Sequence, residues 1–393
     1  MDITIFNFDI INIINNNLDY KDIINFSSTN KYFYEMYNAN KNNISFQVST
    51  NNVDDLIKSC ETFPKIKINF TFNNKKYIID DVKKYNNNIL SIDFRNTNIH
   101  NLTYLHKINN INKLIISNNQ INHLNYIENL NNLSYLDASE NEIKCIKHLS
   151  NLKNLTYLDL HNNNNFNTNE PKNIEALKDL VKLAYLNLNN CQIDDAEPIK
   201  YLINLTYLDL SENNIDDIEP LKNLINLTKL DLHNNIIENI EPLINLANLK
   251  ILNLYENNIN DIESLKTLIN LIYLDLSENV IENIEPLKTL INLTFLYLSC
   301  NQIENIESLK TLINLTSLYL SCNQIENIEP LKTLINITEL DISNNYIREI
   351  NSLTNLKKLK KLNLEDNRIR KLGTLLDLPY IDIADYEDTF QDI

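Results

Sequence analysis

One stretch of this 393-residue chain reads Leu205-Thr-Tyr-Leu-Asp-Leu-Ser-Glu-Asn-Asn-Ile-Asp-Asp-Ile-Glu-Pro-Leu-Lys-Asn-Leu-Ile-Asn226. Its outline, L-x-x-L-x-L-x-x-N-x-I, returns every 22 residues, and repeat position 1 falls at Leu183, Leu205, Leu227, Leu249, Leu271, Leu293, Leu315, Ile337 and Leu359. The same register extends backwards to Ile89, Ile111, Leu133 and Leu155, with one 28-residue step between Leu155 and Leu183. These thirteen starting points predict thirteen stacked units, each touching its neighbours in sequence.

The apolar spacing within each unit predicts one short strand, followed by a turn that leads the chain back to the start of the next strand. Leu208 and Leu210 alternate with polar residues, which is the period of two that a strand with one buried face requires. The next apolar residues follow in steps of three, at Ile215, Ile218, Leu221 and Leu224. That spacing indicates a turn with 3₁₀ character. Pro220 suits its start, because the first turn would leave a backbone N–H unpaired. Equivalent prolines are Pro198, Pro242, Pro286 and Pro330.

Repeat position 9 carries asparagine at Asn213, Asn235, Asn257, Asn279, Asn301, Asn323, Asn345 and Asn367. Tight turns point backbone N–H and C=O groups inward, and buried groups of this kind must be paired. A side-chain amide offers both donors and an acceptor. We therefore expect this column to hold successive turns together as scaffold and not to bind a ligand. Cys191 takes the same position in its own unit.

The segment Ile215-Asp-Asp-Ile-Glu-Pro-Leu-Lys-Asn-Leu-Ile-Asn-Leu227 resembles the 22-residue class of leucine-rich repeat. That class is found in bacterial internalins and in the nuclear regulatory subunit of the type-1 protein phosphatase. The resemblance covers about residues 89–381. It implies an α/β fold class, in which a curved solenoid has a concave parallel β-sheet and a convex side of 3₁₀ helices and turns. It also implies that the concave face binds another protein, without naming that protein.

Charge and composition narrow the kinds of partner. The net charge is −17; residues 1–88 hold ten acidic residues and ten lysines, which leaves 42 of the 52 acidic and 25 of the 35 basic residues in 89–393. Such a surface repels phosphate backbones, so we expect no nucleic-acid partner, whereas a basic patch on a protein is easily accommodated. The excess of Asn and Ile favours an AT-rich genome, such as that of a large DNA virus or an amoeboid eukaryote.

The first residues and the cysteines predict a cytoplasmic location without a membrane partner. Met1-Asp2-Ile3-Thr4 opens without the basic stretch and apolar core of a signal peptide. Nor does the chain contain an apolar run long enough to span a bilayer. The five scattered cysteines fit a reducing compartment better than a disulfide framework. Sequons such as Asn204-Leu205-Thr206 recur at the repeat period, which favours repeat consensus over glycosylation.

Side chains between the strand leucines are expected on the concave face, where they form two candidate protein-binding clusters. The first consists of four stacked tyrosines and their neighbouring aspartates, namely Tyr135, Asp137, Tyr157, Asp159, Tyr185, Tyr207 and Asp209. The second consists of Tyr255, Tyr273, Phe295, Tyr297 and Tyr319. Aromatic residues dominate interface hot spots, so a protein that presents Lys or Arg would suit this face. The strand preference of tyrosine and the copying of repeats are the alternative explanation.

The first 44 residues resemble an F-box. An Ile-rich helix precedes the turn Leu18-Asp19-Tyr20-Lys21-Asp22-Ile23, and Ser27-x-Thr-Asn-Lys31-x-Phe33 follows. The apolar spacing suits short amphipathic helices. The F-box family implies docking to the adaptor of a cullin-type ubiquitin ligase, and the positions that match adaptor contacts are Phe6, Ile10, Ile11, Ile14 and Leu18. A helical cap without adaptor binding is the alternative.

Four segments follow from these patterns. They are a small helical F-box-like module in 1–44, an N-terminal capping region in 45–88, the repeat solenoid in 89–381 and an acidic tail in 382–393. Ile66-Lys-Ile-Asn-Phe-Thr-Phe72 alternates like the strand of a degenerate capping repeat, and Leu378-Pro-Tyr-Ile-Asp-Ile383 begins a final partial unit. Six extra residues after Leu160, within 163–172, are explained equally by a binding-face loop or by slippage in Asn codons.

The sequence does not predict an enzyme. Its single glycine, Gly373, excludes glycine-rich phosphate loops and nucleophile elbows. The six histidines do not combine with cysteines at metal-ligand spacing, so we expect no metal and no cofactor. The expected function is non-catalytic protein recognition, as the substrate receptor of a cullin-type ubiquitin ligase. The alternative is a scaffold or regulatory subunit, such as a phosphatase modulator, with no link to ubiquitin.

Overall fold

The computed structural model describes residues 45–50, 67–72, 89–163 apart from 104, 106, 107 and 109, then 174–369 and 382–384. The F-box-like module in 1–44, the inserted residues from 164 onwards and residues 385–393 of the acidic tail lie outside this part of the chain. The chain divides into two compact units, Met1–Leu183 and Ala184–Ile393.

The described residues of the first unit form six parallel strands that pair in chain order. They are β1 (Ser45–Thr50), β2 (Lys67–Phe72), β3 (Ile89–Asp93), β4 (Lys113–Ile115), β5 (Tyr135–Asp137) and β6 (Tyr157–Asp159). The central leucines of β5 and β6, Leu136 and Leu158, lie opposite each other at the predicted 22-residue step. β2 matches the strand predicted in the capping region. β1 continues the step upstream, since Ser45 pairs with Lys67, and the sequence pattern had not indicated this strand.

Within 184–369 and 382–384, the second unit forms ten parallel strands, which also pair in chain order. They are β7 (Tyr185–Asn187), β8 (Tyr207–Asp209), β9 (Lys229–Asp231), β10 (Ile251–Asn253), β11 (Tyr273–Asp275), β12 (Phe295–Tyr297), β13 (Ser317–Tyr319), β14 (Glu339–Asp341), β15 (Lys361–Asn363) and β16 (Asp382–Ala384). The 22-residue step holds throughout β7 to β15, as where Leu208 pairs with Leu230. β16 lies in the final partial unit predicted to begin at Leu378, and it pairs with β15.

Short 3₁₀ helices return the chain between strands, as the steps of three predict. In the first unit they are Lys147–Asn151 and Glu175–Asp179. In the second they are Glu197–Tyr201, Glu219–Leu221, Glu241–Asn245, Glu263–Thr267, Glu285–Thr289, Glu307–Thr311, Glu329–Thr333 and Asn351–Asn355. Pro220 lies in the first turn of its helix, which confirms the role predicted for the proline column. Among the described residues, none of the helices has the length and apolar character needed to cross a bilayer.

The core lies between the sheet and the 3₁₀ helices. Leu208 and Leu210 from the strand, and Ile215, Ile218, Leu221 and Leu224 from the turn, are all fully buried. Repeat position 21 is the exception among the apolar columns. Ile313, beside the buried Leu312, is 53% exposed. Ile203, Ile225, Ile269, Ile291 and Ile335 are similarly exposed. The core therefore uses only part of the isoleucine content, and one apolar column faces solvent.

The asparagines at repeat position 9 bind the turns together, as predicted. The Asn235 amide donates to the carbonyl of Leu210 in the preceding repeat at 3.0 Å and to that of Leu232 in its own repeat at 3.1 Å. Its Oδ1 atom accepts the backbone N–H of Ile215 at 2.9 Å. One side chain thus satisfies backbone groups of two repeats. Cys191 is buried in the same column, and its backbone N–H donates to Asn213 Oδ1 at 3.1 Å.

A second asparagine column stands at repeat position 22, on the exposed side. The Asn292 amide donates to the carbonyl of Ile269 in the preceding repeat at 2.9 Å, and Asn314 makes the same bond to Ile291 at 2.8 Å. Thr228, at repeat position 2, donates its hydroxyl to the carbonyl of Thr206 at 3.0 Å. Parts of the recurring sequons therefore serve the ladder between repeats.

Candidate functional site: aromatic clusters on the polar sheet face

The strands present the candidate residues on the face opposite the core. Side chains of a strand alternate in direction. Burial of Leu208 therefore turns Tyr207 and Asp209 to the other side, where both are half-buried. We use the term polar sheet face for the side chains at repeat positions 3, 5 and 7 of each unit. Register pairing at a constant step brings identical positions of successive strands next to one another on this face.

In the first unit, Tyr135 and Tyr157 stack on adjacent strands, with ring centroids 4.0 Å apart and planes inclined by 6°. The ammonium group of Lys113 lies over the Tyr135 ring, 4.2 Å from its centroid. A cation over an aromatic face is attractive. The chain's own lysine therefore covers one side of this tyrosine pair.

The second unit contains a similar tyrosine pair, with the lysine on the strand that follows the pair. Tyr185 and Tyr207 stack with centroids 4.2 Å apart and planes inclined by 13°, and Lys229 lies over Tyr207 at 4.8 Å. Burial and the nearby Asp209 carboxylate raise the pKa of Tyr207, so its phenol stays protonated at neutral pH. Of the predicted first cluster, Tyr135 and Tyr157 thus stack in the first unit and Tyr185 and Tyr207 stack in the second, and a lysine of the chain contacts each of these pairs.

The predicted second cluster, which we call the C-terminal aromatic cluster, comprises Tyr255, Tyr273, Phe295, Tyr297 and Tyr319. Tyr297 stacks on Tyr319 with centroids 4.7 Å apart, and Tyr273 contacts Tyr297 at 5.4 Å and Phe295 at 6.4 Å. Phe295 is 38% exposed, although it has no polar group to hydrate. Tyr255 packs against His233, at 6.4 Å, and not against the other four rings.

Two hydroxyls of this cluster are fixed by glutamates. Tyr255 donates to Glu278 Oε1 at 3.0 Å, a bond that raises the pKa of Tyr255 to about 12. Tyr319 donates to Glu339 Oε2 at 2.8 Å, and burial together with this bond raises its pKa to about 12. Lys361 donates to the other oxygen of Glu339 at 2.8 Å. The rings of Tyr255 and Tyr319 are therefore held in place before any partner arrives.

The aspartates of the first cluster have a structural task that the sequence analysis missed. Asp137 Oδ1 accepts the backbone N–H of Ser139 at 3.2 Å, and Asp209 Oδ1 accepts that of Ser211 at 3.1 Å. Asp159 does the same for His161 at 3.1 Å, and it is only 7% exposed. Each carboxylate closes the turn that leaves its strand, as Asp and Asn side chains commonly do. Whether these carboxylates also contact a partner stays a prediction.

Two histidines extend the aspartate turns. His161 Nδ1 lies 2.7 Å from Asp159 Oδ1, and His233 Nδ1 lies 2.8 Å from Asp231 Oδ1. The hydrogen bond to the aspartate is the main cause that raises the pKa of each histidine. The pKa of Asp209 is raised as well, but there the main cause is burial. The protonation of these groups is therefore coupled to the conformation of the strand ends.

The exposed carboxylates stand at repeat position 8, one residue beyond the polar sheet face. They are Glu140, Glu212, Glu256, Glu278 and Asp366. Each occupies a left-handed backbone conformation, with φ between 51° and 54°. The strand alternation did not predict them, because they lie in the left-handed turn after the strand. A glutamate at position 8 that follows a polar position 7 is the signal that could have found them.

The described residues contain no group of three or more His, Cys, Asp or Glu side chains placed to hold a metal ion. The proposed adaptor contacts Phe6, Ile10, Ile11, Ile14 and Leu18 lie outside the described residues. What the described surface offers is a row of fixed aromatic rings bordered by carboxylates. Such a row suits binding, because it holds rigid apolar area beside charge.

Sequence comparison identifies leucine-rich repeats within the second unit. Residues 203–245 and 291–333 match the family described as Leucine Rich repeats (2 copies). Residues 313–369 match the family described as Leucine rich repeat. A comparison with curated protein sequences finds no match.

Solved structures with a similar fold include an internalin, InlF, of Listeria monocytogenes. It is 29% identical, the match covers 77% of this chain and 88% of that one, and the TM-score is 0.73. A leucine-rich-repeat protein of Leptospira interrogans is 22% identical over 88% of this chain and 98% of its own, with a TM-score of 0.71. The ectodomain of the Arabidopsis thaliana receptor kinase GASSHO1/SCHENGEN3, in complex with CASPARIAN STRIP INTEGRITY FACTOR 2, is 22% identical over 77% of this chain and 41% of its own, with a TM-score of 0.61. The last two likenesses concern the fold alone.

Proposed function

We propose that this chain, whose residues 203–245 and 291–369 match leucine-rich-repeat families and whose fold is similar to that of the internalin InlF, binds another protein through the polar sheet face. Leucine-rich-repeat domains generally mediate protein–protein interactions and are typically non-enzymatic recognition scaffolds. The expected partner of this chain is therefore a protein, and the chain itself performs no catalysis.

The observation that carries this proposal is the C-terminal aromatic cluster. Phe295 leaves more than a third of its surface in water, and it lies beside Tyr273. Rigid rings lose little conformational entropy on binding, and centrally placed aromatic anchors supply most of the energy in many interfaces. The hydrogen bonds of Tyr255 and Tyr319 to glutamates hold those two rings in one orientation. This cluster supports the role of an anchor for the partner.

The charge of the surroundings indicates a basic partner. The exposed Glu256 and Glu278 border the C-terminal aromatic cluster, and the whole chain has a net charge of −17. Lys113 already lies over the Tyr135 ring of the first tyrosine pair, and Lys229 lies over the Tyr207 ring of the second. A partner's Lys or Arg is therefore better placed at the C-terminal aromatic cluster, where it can meet a ring face and a carboxylate.

Site-specific photo-crosslinking tests the proposed surface. A benzophenone amino acid replaces Phe295 in the full chain, and a matched chain carries it at Ile313, which is more exposed, at 53% against 38%, but lies outside the polar sheet face. Both are irradiated in a cell extract. We expect a protein of basic character to crosslink through position 295 and not through position 313. Equal crosslinking at both positions would remove the polar sheet face as the specific binding surface.

For residues 1–44 we propose docking to the adaptor of a cullin-type ubiquitin ligase, so that the repeats select the substrate. The resemblance to an F-box supports this role, and a cytoplasmic location, supported by the scattered cysteines, belongs to the same proposal. The test is retention of purified adaptor by the full chain. We compare the wild type with an Ile10→Asp, Leu18→Asp variant and with Asn16→Asp as a matched charge control.

Loss of retention in the double variant alone supports the receptor role. If the folded wild-type chain retains no adaptor, the receptor role is wrong and the alternative stands. In that case the chain is a scaffold or regulatory subunit, such as a phosphatase modulator, whose recognition of protein still depends on the polar sheet face.

A further inference from the structure

Two cysteines occupy the same place in neighbouring repeats of the second unit. Cys300 and Cys322 stand at repeat position 8, where other units carry glutamate, asparagine or aspartate. Both adopt the left-handed conformation, with φ of 54° and 55°. Identical backbone geometry at identical positions points the two side chains in the same direction from adjacent turns. Cys300 is exposed and Cys322 is partly exposed, so reagents in solution can reach them.

The backbone places these two turns side by side. Strands β12 and β13 pair in register, with Tyr297 opposite Tyr319. The pairing continues into the turn, because the N–H of Cys300 donates to the carbonyl of Ser321 at 2.8 Å. Neighbouring strands lie about 4.8 Å apart. A disulfide needs Cα atoms about 4.4–6.8 Å apart, so the ladder spacing already meets this requirement.

The two thiols also influence each other. Burial and the adjacent Cys322 thiol raise the pKa of Cys300 to about 11. Asn344, which takes position 8 in the next repeat, donates from its amide to Cys322 Sγ at 3.3 Å. The two cysteines thus form a dithiol in the turns that follow β12 and β13.

We propose that Cys300 and Cys322 are a modification site that closes into a reversible disulfide between adjacent repeats. The oxidant is a low-molecular-weight disulfide such as glutathione disulfide. One cysteine thiolate attacks a sulfur of glutathione disulfide, which forms a mixed disulfide and releases one glutathione thiolate. The second cysteine then loses its proton and attacks the mixed disulfide, which releases the second glutathione. Two protein thiols are oxidised, and one glutathione disulfide is reduced to two thiols.

The chemistry sets the conditions under which this site reacts. The thiolate is the attacking species, so the raised pKa of Cys300 makes oxidation slow near neutral pH and faster as pH rises. The second step is intramolecular between neighbouring turns, so closure of the bridge outruns accumulation of the mixed disulfide. Tyr297 and Tyr319 of the C-terminal aromatic cluster lie on the strands that precede the two cysteines. The bridge therefore forms beside the proposed binding surface, but it does not depend on that function.

Mass spectrometry of the full chain tests the site. The protein is treated with glutathione disulfide at about pH 8.5, near the ordinary pKa of a free thiol, and its remaining thiols are blocked. Trypsin then separates the cysteines, because Lys310 lies between them, into the peptides Thr289–Lys310 and Thr311–Lys332. We expect these two peptides to be joined, with a mass about 2 Da below their sum, and to separate on reduction.

Single variants and a second probe complete the test. Cys300→Ser and Cys322→Ser should retain glutathione on the remaining cysteine, since the resolving thiol is missing. Phenylarsine oxide, which condenses with two adjacent thiols and releases water, should bind the wild type with one equivalent and neither variant. Circular dichroism verifies that both variants are folded. Stable glutathione adducts on unlinked wild-type peptides, or equal arsenical binding by Cys300→Ser, would overturn the proposal.

Discussion

The side-chain amide of Asn257 donates to the backbone carbonyl of Leu232, 25 residues earlier, over 3.0 Å. The same amide donates to Leu254 in its own repeat at 3.3 Å, and its Oδ1 atom accepts the N–H of Ile237 at 3.0 Å. A single residue therefore connects two repeats where the chain turns, without glycine to relax the turn. The stability of the repeat ladder depends on this column as well as on the leucines.

Replacing Asn257 with Leu should destabilise the protein strongly. The substitution keeps the size but leaves buried backbone groups unpaired, at a cost of about 1–3 kcal/mol for each group. The neighbouring Asn258 is exposed, so Asn258→Ala is the matched control and should change the free energy of unfolding by no more than about 0.5 kcal/mol. Chemical denaturation measures both. Equal effects of the two variants would contradict the role of the position 9 column.

The adjacent apolar residues Leu312 and Ile313 should also differ in how much each contributes to the free energy of unfolding. Leu312 is fully buried and Ile313 is 53% exposed. Leu312→Ala should lower the free energy of unfolding by about 2–5 kcal/mol, because a cavity remains in the core. Ile313→Ala should cost less than about 1 kcal/mol, since its side chain lies mostly in water. A cost at Ile313 as large as at Leu312 would mean that the exposed isoleucine column is packed against something.

The repeat period made most of the fold predictable. The alternation around Leu208 is enough to predict a strand, and the apolar steps of three that follow it are enough to predict a 3₁₀ turn. The division between Leu312 and Ile313 could not be read in this way, because both are apolar and adjacent. The hydrogen bonds of Asn292 and its equivalents were missed for another reason. The chain is so rich in asparagine that composition alone hides a functional column.

The aspartate turns predict which substitutions each site tolerates. Asp275 Oδ1 accepts the backbone N–H of Ser277 at 2.9 Å, and Asn253 serves the same turn one repeat earlier, at 3.1 Å. Asp275→Asn should therefore be nearly neutral, whereas Asp275→Ala should cost about 1 kcal/mol or more. Thermal or chemical unfolding distinguishes them. If Ala and Asn are equally damaging, the carboxylate charge matters more than the turn.

His233 predicts a defined pH dependence of stability. The hydrogen bond to Asp231 raises the pKa of His233 in the folded state above its ordinary value of 6.5. The protonated form is favoured by folding, so this contribution is complete below about pH 6.5. It is lost as pH rises through the higher folded pKa. Asp209, Glu212 and Tyr255 also face the ring, and their positions do not reverse this sign.

The measurement compares the wild type with His233→Ser, since serine is the usual residue at repeat position 7. The difference in unfolding free energy should favour the wild type most at about pH 6 and should shrink by about pH 8. A difference that grows with pH would contradict the assigned hydrogen bond.

The candidate site was predictable only in part. Register alone placed Tyr273 beside Phe295 and Tyr297 beside Tyr319, because a constant step stacks equal positions. The lysines over Tyr135 and Tyr207 were not expected, since the reach of a long side chain across strands leaves no mark in the pattern. The exposed glutamates were missed because they lie in the left-handed turn, outside the strand alternation.

The most direct test of recognition by the polar sheet face is calorimetric titration of the crosslinked partner, once purified, with two matched double variants. Phe295→Ala with Tyr273→Ala removes adjacent rings of the C-terminal aromatic cluster, and Ile291→Ala with Ile313→Ala removes two apolar side chains that are more exposed than Phe295 and lie outside the polar sheet face. We predict that the aromatic variant weakens binding by about tenfold or more, the equivalent of about 1.4 kcal/mol. The isoleucine variant should change affinity by less than about twofold. Unchanged binding by the folded aromatic variant, or a larger loss in the isoleucine variant, would contradict the account.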